Sequence, residues 1–276
     1  PEISRLLEIT ASKGFSYHLV TNAFDISHLR PLLLEHHKAR ALSGVSISLD
    51  GASERTNDAI RGEGVYRRVM ETIAFLHASG IPFSLQMVVN RLNMGEIEQY
   101  GLMAAQLGAR RVYFAYPQPT PELVERGLMP SPGEAEAVKA RVLKLTDALN
   151  IEVYLSVGYR VEQSFFSCRA LQMSALSVDY RGRLVFCCQL SGYVGSPPDG
   201  PDVVADLREV SLFEAHRRLV EKVRRFQLDR IEKIERGELD ELDRFPCIYC
   251  ARYFGKLRWL DENFPDSPWA RPPRGT

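Results

Sequence analysis

The five cysteines are the residues whose type and spacing most directly predict chemistry in this chain. Two of them form a CxxC pair in 245-FPCIYC-250, while Cys168, Cys187 and Cys188 lie some sixty to eighty residues earlier. A CxxC pair supplies two thiolate ligands, which is half of a four-coordinate metal site. The other half is therefore expected among the three earlier cysteines.

The two adjacent cysteines are predicted to differ in role. They end the segment 176-LSVDYRGRLVFCC-188, which is typical of a β-hairpin, and neighbouring side chains on a strand point to opposite faces. Only one of the two can then share a site with the others. The predicted ligands are Cys168, Cys187, Cys247 and Cys250, with Cys188 outside the site.

Four thiolates suit either a structural zinc ion or an iron–sulfur cluster, and their spacing alone leaves both open. A thioredoxin-like redox motif is disfavoured, because that motif begins a helix after a strand, whereas this pair follows a proline in the last tenth of the chain.

Strand and helix patterns alternate over roughly the first 160 residues, which predicts βαβ units with a parallel sheet, either doubly wound or a complete or partial (β/α) barrel. The predicted strands are 17–22, 45–50, 83–90, 111–117 and 151–157. The predicted helices are 2–13, 25–42, 66–80, 94–108 and 132–150. The pattern then changes to a hairpin, a Gly/Pro/Ser-rich loop over 191–202, a charged helix over about 211–240 and a poorly ordered tail over 263–276.

Composition excludes several classes of partner. The 35 basic and 35 acidic residues give a net charge of +0, so no nucleic-acid partner is predicted, and the basic cluster 217–226 is interpreted as a solvated helix face. No apolar run is long enough to span a bilayer, so no membrane partner is predicted. An odd number of cysteines in a chain of this size predicts a reducing, cytoplasmic setting.

The cysteine spacing resembles the Twitch form of the SPASM/Twitch domains that follow the barrel in many radical S-adenosylmethionine (radical SAM) enzymes. Those domains carry an auxiliary 4Fe–4S cluster on the pattern C-x(9–15)-G-x(4)-C … C-x(2)-C. Here Cys168 is followed by thirteen residues, Gly182, four residues and Cys187, and later by the CxxC pair. No cysteine follows Cys250, so the resemblance is to the one-cluster version.

The preceding region resembles the same family. The segment 19-LVTNAF-24, the SLDG strand end with its D-x-x-R-G turn in 45–81, and the run 84-SLQMVVNRLNMGEIEQ-99 are similar to these barrels, so the resemblance covers most of residues 1–255. The family's CxxxCxxC loop and GGEP-like motif are not found in the sequence, and the chain does not begin with Met. We expect it to be the C-terminal part of a longer protein.

The resemblance implies a partial (β/α)6 barrel lacking its first strands over 1–160 and a small α+β Twitch-like iron–sulfur domain over 161–262. SAM would lie across the C-terminal ends of the strands. The implied SAM contacts are Thr21, Asn22, Ser48, Asp50, Arg61 and Asn90. Their structural alternatives are that Asp50 caps the turn at Gly51, that the asparagines satisfy loop backbone, and that Arg61 ties its loop to a carboxylate such as Asp58.

The implied activity is abstraction of hydrogen from a peptide or small-molecule substrate by a 5′-deoxyadenosyl radical. The auxiliary cluster would bind the substrate or accept an electron, a second 4Fe–4S cluster is expected in the full-length protein, and a flavodoxin or ferredoxin would donate electrons. The alternative is a non-catalytic degenerate barrel with a structural zinc or cluster site that acts as a binding or scaffold module.

Overall fold

The computed structural model describes residues 2–195 and 199–271 and divides them into two compact units. The first unit contains the chain up to Pro117 together with Glu136–Ser156, and the second contains Gln118–Ala135 together with the chain from Val157 onward. The predicted change of pattern near residue 160 lies close to this division. The segment 118–135, which the sequence assigned to the barrel, belongs instead to the second unit.

The first unit contains a five-stranded sheet in which all neighbouring strands are parallel and follow chain order. Its strands are β1 (Tyr17–Thr21), β2 (Leu42–Ser48), β3 (Phe83–Val88), β4 (Arg111–Ala115) and β5 (Glu152–Leu155). Each predicted strand is found, and the predicted parallel α/β fold is confirmed. Parallel pairing places the C-terminal ends of all five strands at one edge of the sheet.

The two faces of this sheet differ in chemistry. Val45, Ile47 and Leu85 are fully buried on one face, whereas the alternating residues Ser46 and Ser48 face the other way and are only half-buried. The apolar face packs on helices, and the remaining face is polar, as expected of a barrel interior.

Helices connect the strands, as the alternation predicted. They are α1 (Glu2–Ser12), α2 (Arg30–Lys38), α3 (Glu54–Arg61), α4 (Val65–Ala78), α5 (Ile97–Gln106), α6 (Pro121–Glu125) and α7 (Pro132–Ala148). Helix α3 was predicted as a turn. Ser53 caps it by accepting a hydrogen bond from the Thr56 amide at 3.3 Å, and Gly62, with φ of 105°, ends it.

The second unit contains a three-stranded antiparallel sheet of β6 (Ser177–Val178), β7 (Arg183–Val185) and β8 (Val203–Asp206). The hairpin prediction is confirmed, with Gly182 in the left-handed region at φ 76° in the turn. Three helices follow, α8 (Leu212–Glu235), α9 (Pro246–Tyr253) and α10 (Arg258–Asn263).

The segment after α10 is packed as far as the structure describes it. Trp269 is 1% exposed, its Nε1 donates a 2.6 Å hydrogen bond to the Pro130 carbonyl, and its ring meets that of Phe245 edge-on at 4.8 Å. The expectation of a poorly ordered tail over 263–276 therefore does not hold for 263–271, because an aromatic anchor was overlooked. Residues 272–276, and 196–198 of the Gly/Pro/Ser-rich loop, lie outside the described residues.

Candidate functional site

A buried carboxylate lies at the C-terminal edge of the parallel sheet. Asp50 follows β2 and is 5% exposed; one of its oxygens accepts a 2.7 Å hydrogen bond from the Val88 amide, and the other lies 2.9 Å from Nη2 of Arg61. Burial raises the pKa of Asp50, and the attraction of Arg61 and the Val88 hydrogen bond oppose that rise. Asp50 thus connects the ends of β2 and β3 to helix α3.

Arg61 has a different partner from either of those considered from the sequence. It pairs with Asp50, whereas Asp58 accepts hydrogen bonds from the backbone amides of Gly64 at 2.7 Å and Tyr66 at 2.8 Å. The structural alternative, in which Arg61 ties its loop to a carboxylate, is therefore observed, with Asp50 as the carboxylate in place of Asp58. Nε of Arg61 is buried and, among the described residues, has no hydrogen-bond partner.

Two asparagines shape the loop after β3. The Asn90 side-chain oxygen accepts from the Leu92 amide at 2.9 Å, and the Asn90 amide donates to Asn93 Oδ1 at 2.7 Å. Asn93 is fully buried and donates to the carbonyls of Asp50 at 3.0 Å and Val88 at 2.9 Å. The backbone role considered for Asn90 is thus observed, and Asn93 is a more central residue that the sequence reasoning missed.

Glu96 was also missed. Its carboxylate accepts from the Ala52 amide at 2.7 Å, from the Thr56 hydroxyl at 2.5 Å and from the Ser53 hydroxyl at 3.3 Å, and so closes the loop after β2. Position 51 of that loop requires glycine, because a Cβ added there would lie 2.5 Å from the backbone nitrogen of Asn57. The SLDG motif therefore has a steric basis in this chain.

The other predicted SAM contacts lie on β1 and β2 or directly after β1. Thr21 Oγ1 accepts from the Ala23 amide at 3.0 Å, and Asn22 Oδ1 accepts from the Phe24 amide at 3.3 Å. Ser48 Oγ accepts from Gln86 Nε2 at 3.1 Å on the polar face of the sheet. Each of these three side chains still has a donor to offer, since a hydroxyl or amide that accepts can also donate.

The CxxC pair lies in the first turns of helix α9, where residues three apart share a face. The argument that this pair does not begin a helix is therefore wrong. Burial nonetheless raises the pKa of Cys247 to about 12, with further rises from Cys168 and Cys188, and it raises the pKa of Cys250 as well. A reactive CxxC shows the opposite shift, so a thioredoxin-like role stays disfavoured on this different ground.

The alternation argument for Cys187 and Cys188 does not apply to the structure. Strand β7 ends at Val185, and both cysteines lie in a turn in which the Leu190 amide donates to the Cys187 carbonyl at 3.1 Å. A hydrogen bond with Cys187 lowers the pKa of Cys188 to about 6 and, together with burial, raises that of Cys187. The Cys187 thiol also interacts electrostatically with Cys247. Strand geometry therefore does not decide whether Cys187 or Cys188 is the ligand.

The arrangement of the cysteine thiols suits the two candidate metal groups differently. Within 2–195 and 199–271, no three His, Cys, Asp or Glu side chains are arranged to hold a metal ion. A zinc site requires four sulfurs within about 2.3 Å of one ion. The ligands of a 4Fe–4S cluster each bind a different iron and surround the cluster, so neighbouring buried thiols suit its donor set without meeting at one point.

Comparison with known proteins identifies relatives of both sequence and fold. Residues 1–102 match the model of the radical SAM superfamily. A PqqA peptide cyclase of Methylocella silvestris is 34% identical over 161 residues, 55% of this chain and 40% of the relative. A mycofactocin maturase MftC of Mycobacterium ulcerans is 36% identical over 110 residues, 40% of this chain and 29% of the relative. The chain thus spans less than half the length of these relatives.

The SAM-bound crystal structure of Streptococcus suis SuiB shares the fold, with a TM-score of 0.59 and 14% identity over 77% of this chain and 50% of SuiB.

No helix within the described ranges has the length and apolar character needed to cross a membrane.

Proposed function

We propose that this chain, whose residues 1–102 match the model of the radical SAM superfamily, is part of a radical SAM enzyme that modifies a peptide. The observation that carries the proposal is a parallel sheet whose polar strand ends meet at one edge, in the same chain as a second unit that buries cysteines near one another. The peptide class is supported by the relatives, since one is named a PqqA peptide cyclase and SuiB has been crystallised with its precursor peptide SuiA.

The strand-end residues divide into two roles. Asp50, Arg61, Asn90 and the newly found Asn93 bind one another or nearby backbone, so they hold the loops in place. Thr21, Asn22 and Ser48 are proposed to contact SAM, because their side chains keep a free hydrogen-bonding capacity and are only partly buried or exposed. Arg61 is also proposed to contact SAM, through its buried Nε, which has no hydrogen-bond partner among the described residues. Asp50 and Asn90 are proposed to shape the same edge of the sheet.

The buried cysteines are proposed to hold an auxiliary 4Fe–4S cluster through Cys168, Cys187, Cys247 and Cys250, with Cys188 as the alternative to Cys187. SAM held by these strand-end residues would be the source of a 5′-deoxyadenosyl radical, released together with methionine by one-electron cleavage; the electron would come from a flavodoxin or ferredoxin through a second 4Fe–4S cluster. When bound, the auxiliary cluster supplies a substrate ligand site or an acceptor for the electron that the substrate loses along with its abstracted hydrogen.

Metal content after anaerobic iron–sulfide reconstitution tests the auxiliary site. We expect about four irons and four sulfides per chain in the wild type and none in a Cys247→Ala/Cys250→Ala variant. Single Cys187→Ala and Cys188→Ala variants decide which of the two is the ligand. About one tightly bound zinc with no stable iron would overturn the cluster assignment.

A second candidate function is a non-catalytic binding or scaffold module. The observation that favours it is the internal pairing of Asp50, Arg61, Asn90 and Asn93, which leaves fewer polar groups for a ligand. Calorimetric titration with SAM separates the two functions. Binding that weakens at least about tenfold in Ser48→Ala supports the SAM site, and no detectable binding to the reconstituted wild type supports the scaffold.

A further inference from the structure

Arg230, in the middle of α8, is a buried cation without an ion-pair partner among the described residues. It is 3% exposed, and its Nε and Nη2 donate to the Ser164 carbonyl at 2.9 and 2.7 Å, while Nη2 also lies 3.2 Å from the Asp243 carbonyl. A buried charge is costly unless it is paired, and carbonyl oxygens compensate it only in part.

The planar face of the same guanidinium is covered by aromatic rings. Its central carbon lies 4.5 Å from the ring centroid of Phe166 and 4.2 Å from that of Tyr249. Cation–π contacts of this kind stabilise a desolvated arginine. Nη1 is buried as well and makes no hydrogen bond to any described residue.

All of these contacts lie beside candidate iron ligands. Ser164 and Phe166 precede Cys168 by four and two residues, Asp243 precedes Cys247 by four, and Tyr249 lies next to Cys250. A single side chain thus holds the segment before Cys168 and the segment that carries the CxxC pair.

We propose that Arg230 positions both cysteine segments of the auxiliary site and supplies the positive charge that balances an anionic, thiolate-bound cluster. The inference rests on the cluster assignment proposed above. A cluster with four thiolates is negatively charged and gains a further negative charge when it accepts an electron, so a nearby buried cation favours its reduced form. Lys233, also on α8, lies 5.4 Å from the Tyr249 ring centroid but is only half-buried, whereas Arg224 and Arg225 are exposed.

The test is a redox titration of the reconstituted chain with dithionite, which gives one electron per cluster, followed by electron paramagnetic resonance. Arg230→Gln keeps hydrogen-bond donors but removes the charge, Arg230→Lys keeps the charge, and Arg224→Gln is the matched control on the same helix. At a fixed potential, we expect about a tenfold lower ratio of reduced to oxidised cluster in Arg230→Gln, equivalent to a midpoint about 59 mV lower. Arg230→Lys should stay closer to the wild type, and Arg224→Gln should match it.

Iron and sulfide counts separate the possible failures. Loss of iron in Arg230→Gln with retention in Arg230→Lys supports the charge role even when the first variant cannot be titrated. A loaded Arg230→Gln with the wild-type potential overturns the charge role while leaving the cluster intact. Loss of iron from both variants, with Arg224→Gln still loaded, supports the positioning role, because lysine cannot donate two hydrogen bonds to the Ser164 carbonyl from a guanidinium. Full iron in both variants overturns the positioning role. A wild type that binds no cluster overturns the inference together with the proposed function.

Discussion

The two candidate sites differ in how completely the chain satisfies its own polar groups. At the sheet edge, Asp50 is paired with Arg61 and Asn93 bonds to the backbone of two loops, although Nε of Arg61 lacks a hydrogen bond. In the cysteine region, burial raises the pKa values of Cys247 and Cys250, and Nη1 of Arg230 lacks a hydrogen bond. Unsatisfied buried groups in a native fold require an explanation, and a bound group is a common one. We therefore expect the sheet edge to be largely formed before SAM binds, and the cysteine region to be completed by the proposed cluster.

The largest expected effect is a difference in how the two regions respond to reconstitution. Metal binding contributes directly to folding where the ligands are not otherwise held. We expect iron–sulfide reconstitution to slow amide hydrogen exchange at least tenfold in α9 and in residues 164–168, and to leave the amides of Val88 and Asn90 unchanged. Hydrogen exchange with mass spectrometry measures both regions in one sample. Equal slowing in both would remove the contrast between the sites.

The next effect concerns the internal pairing at the sheet edge. Asp50→Ala would leave Arg61 as a mostly buried, unpaired cation, which costs about 3–5 kcal/mol of the free energy of unfolding. The matched control is Glu54→Ala, because Glu54 on α3 forms an exposed ion pair with Arg67 on α4, and such pairs contribute at most about 1 kcal/mol. Urea unfolding followed by circular dichroism measures both, and similar losses in the two variants would contradict the structural role of Asp50.

A smaller effect is expected at the tight loop that begins at Gly51. Gly51→Ala places a methyl group 2.5 Å from backbone that cannot move as freely as a side chain, so we expect a loss of about 1–3 kcal/mol. Gly95→Ala is the matched control, because nothing lies within 4 Å of its added Cβ. Both variants are compared by the same urea unfolding. A Gly51→Ala protein as stable as Gly95→Ala would show that the loop relaxes.

Local patterns predicted the parallel sheet well. The runs around β2 and β3 combine β-branched residues with brevity, and the structure places strands there with ends shifted by only a few residues. Helix α3 was missed because 54-ERTNDAIR-61 is too polar to show an apolar stripe; its ends are set by Ser53 and Gly62 instead.

Contacts between distant segments explain the other failures of prediction. Glu96 reaches Ala52 across 44 positions and Asn93 reaches Asp50 across 43, and no local pattern encodes such distances. Strand β7 ends before the cysteines because its pairing with β8 becomes irregular after Leu184, a feature that alternation along a single strand does not reveal. The cysteine spacing predicts the proposed ligand set, whereas the burial of Arg230 beside it depends on how α8 packs and leaves no local pattern in the sequence.

The smallest expected effect is a pH dependence that isolates Asp50 from the other acids. Since burial raises its pKa in the folded protein, the folded state holds this proton more tightly than the unfolded state does. The contribution of Asp50 to the free energy of unfolding should therefore fall as pH rises from the ordinary pKa of aspartate through the raised folded value. Asp58 and Glu98, whose pKa values are lowered, act in the opposite direction, so the total curve hides the effect. The difference between the wild type and Asp50→Asn removes these common contributions. Urea unfolding of both proteins between about pH 4 and 7 should show the wild type losing stability relative to the variant as pH rises. If the wild type instead gains stability relative to the variant, Arg61 outweighs burial and the Asp50 carboxylate is stabilised in its ionised form.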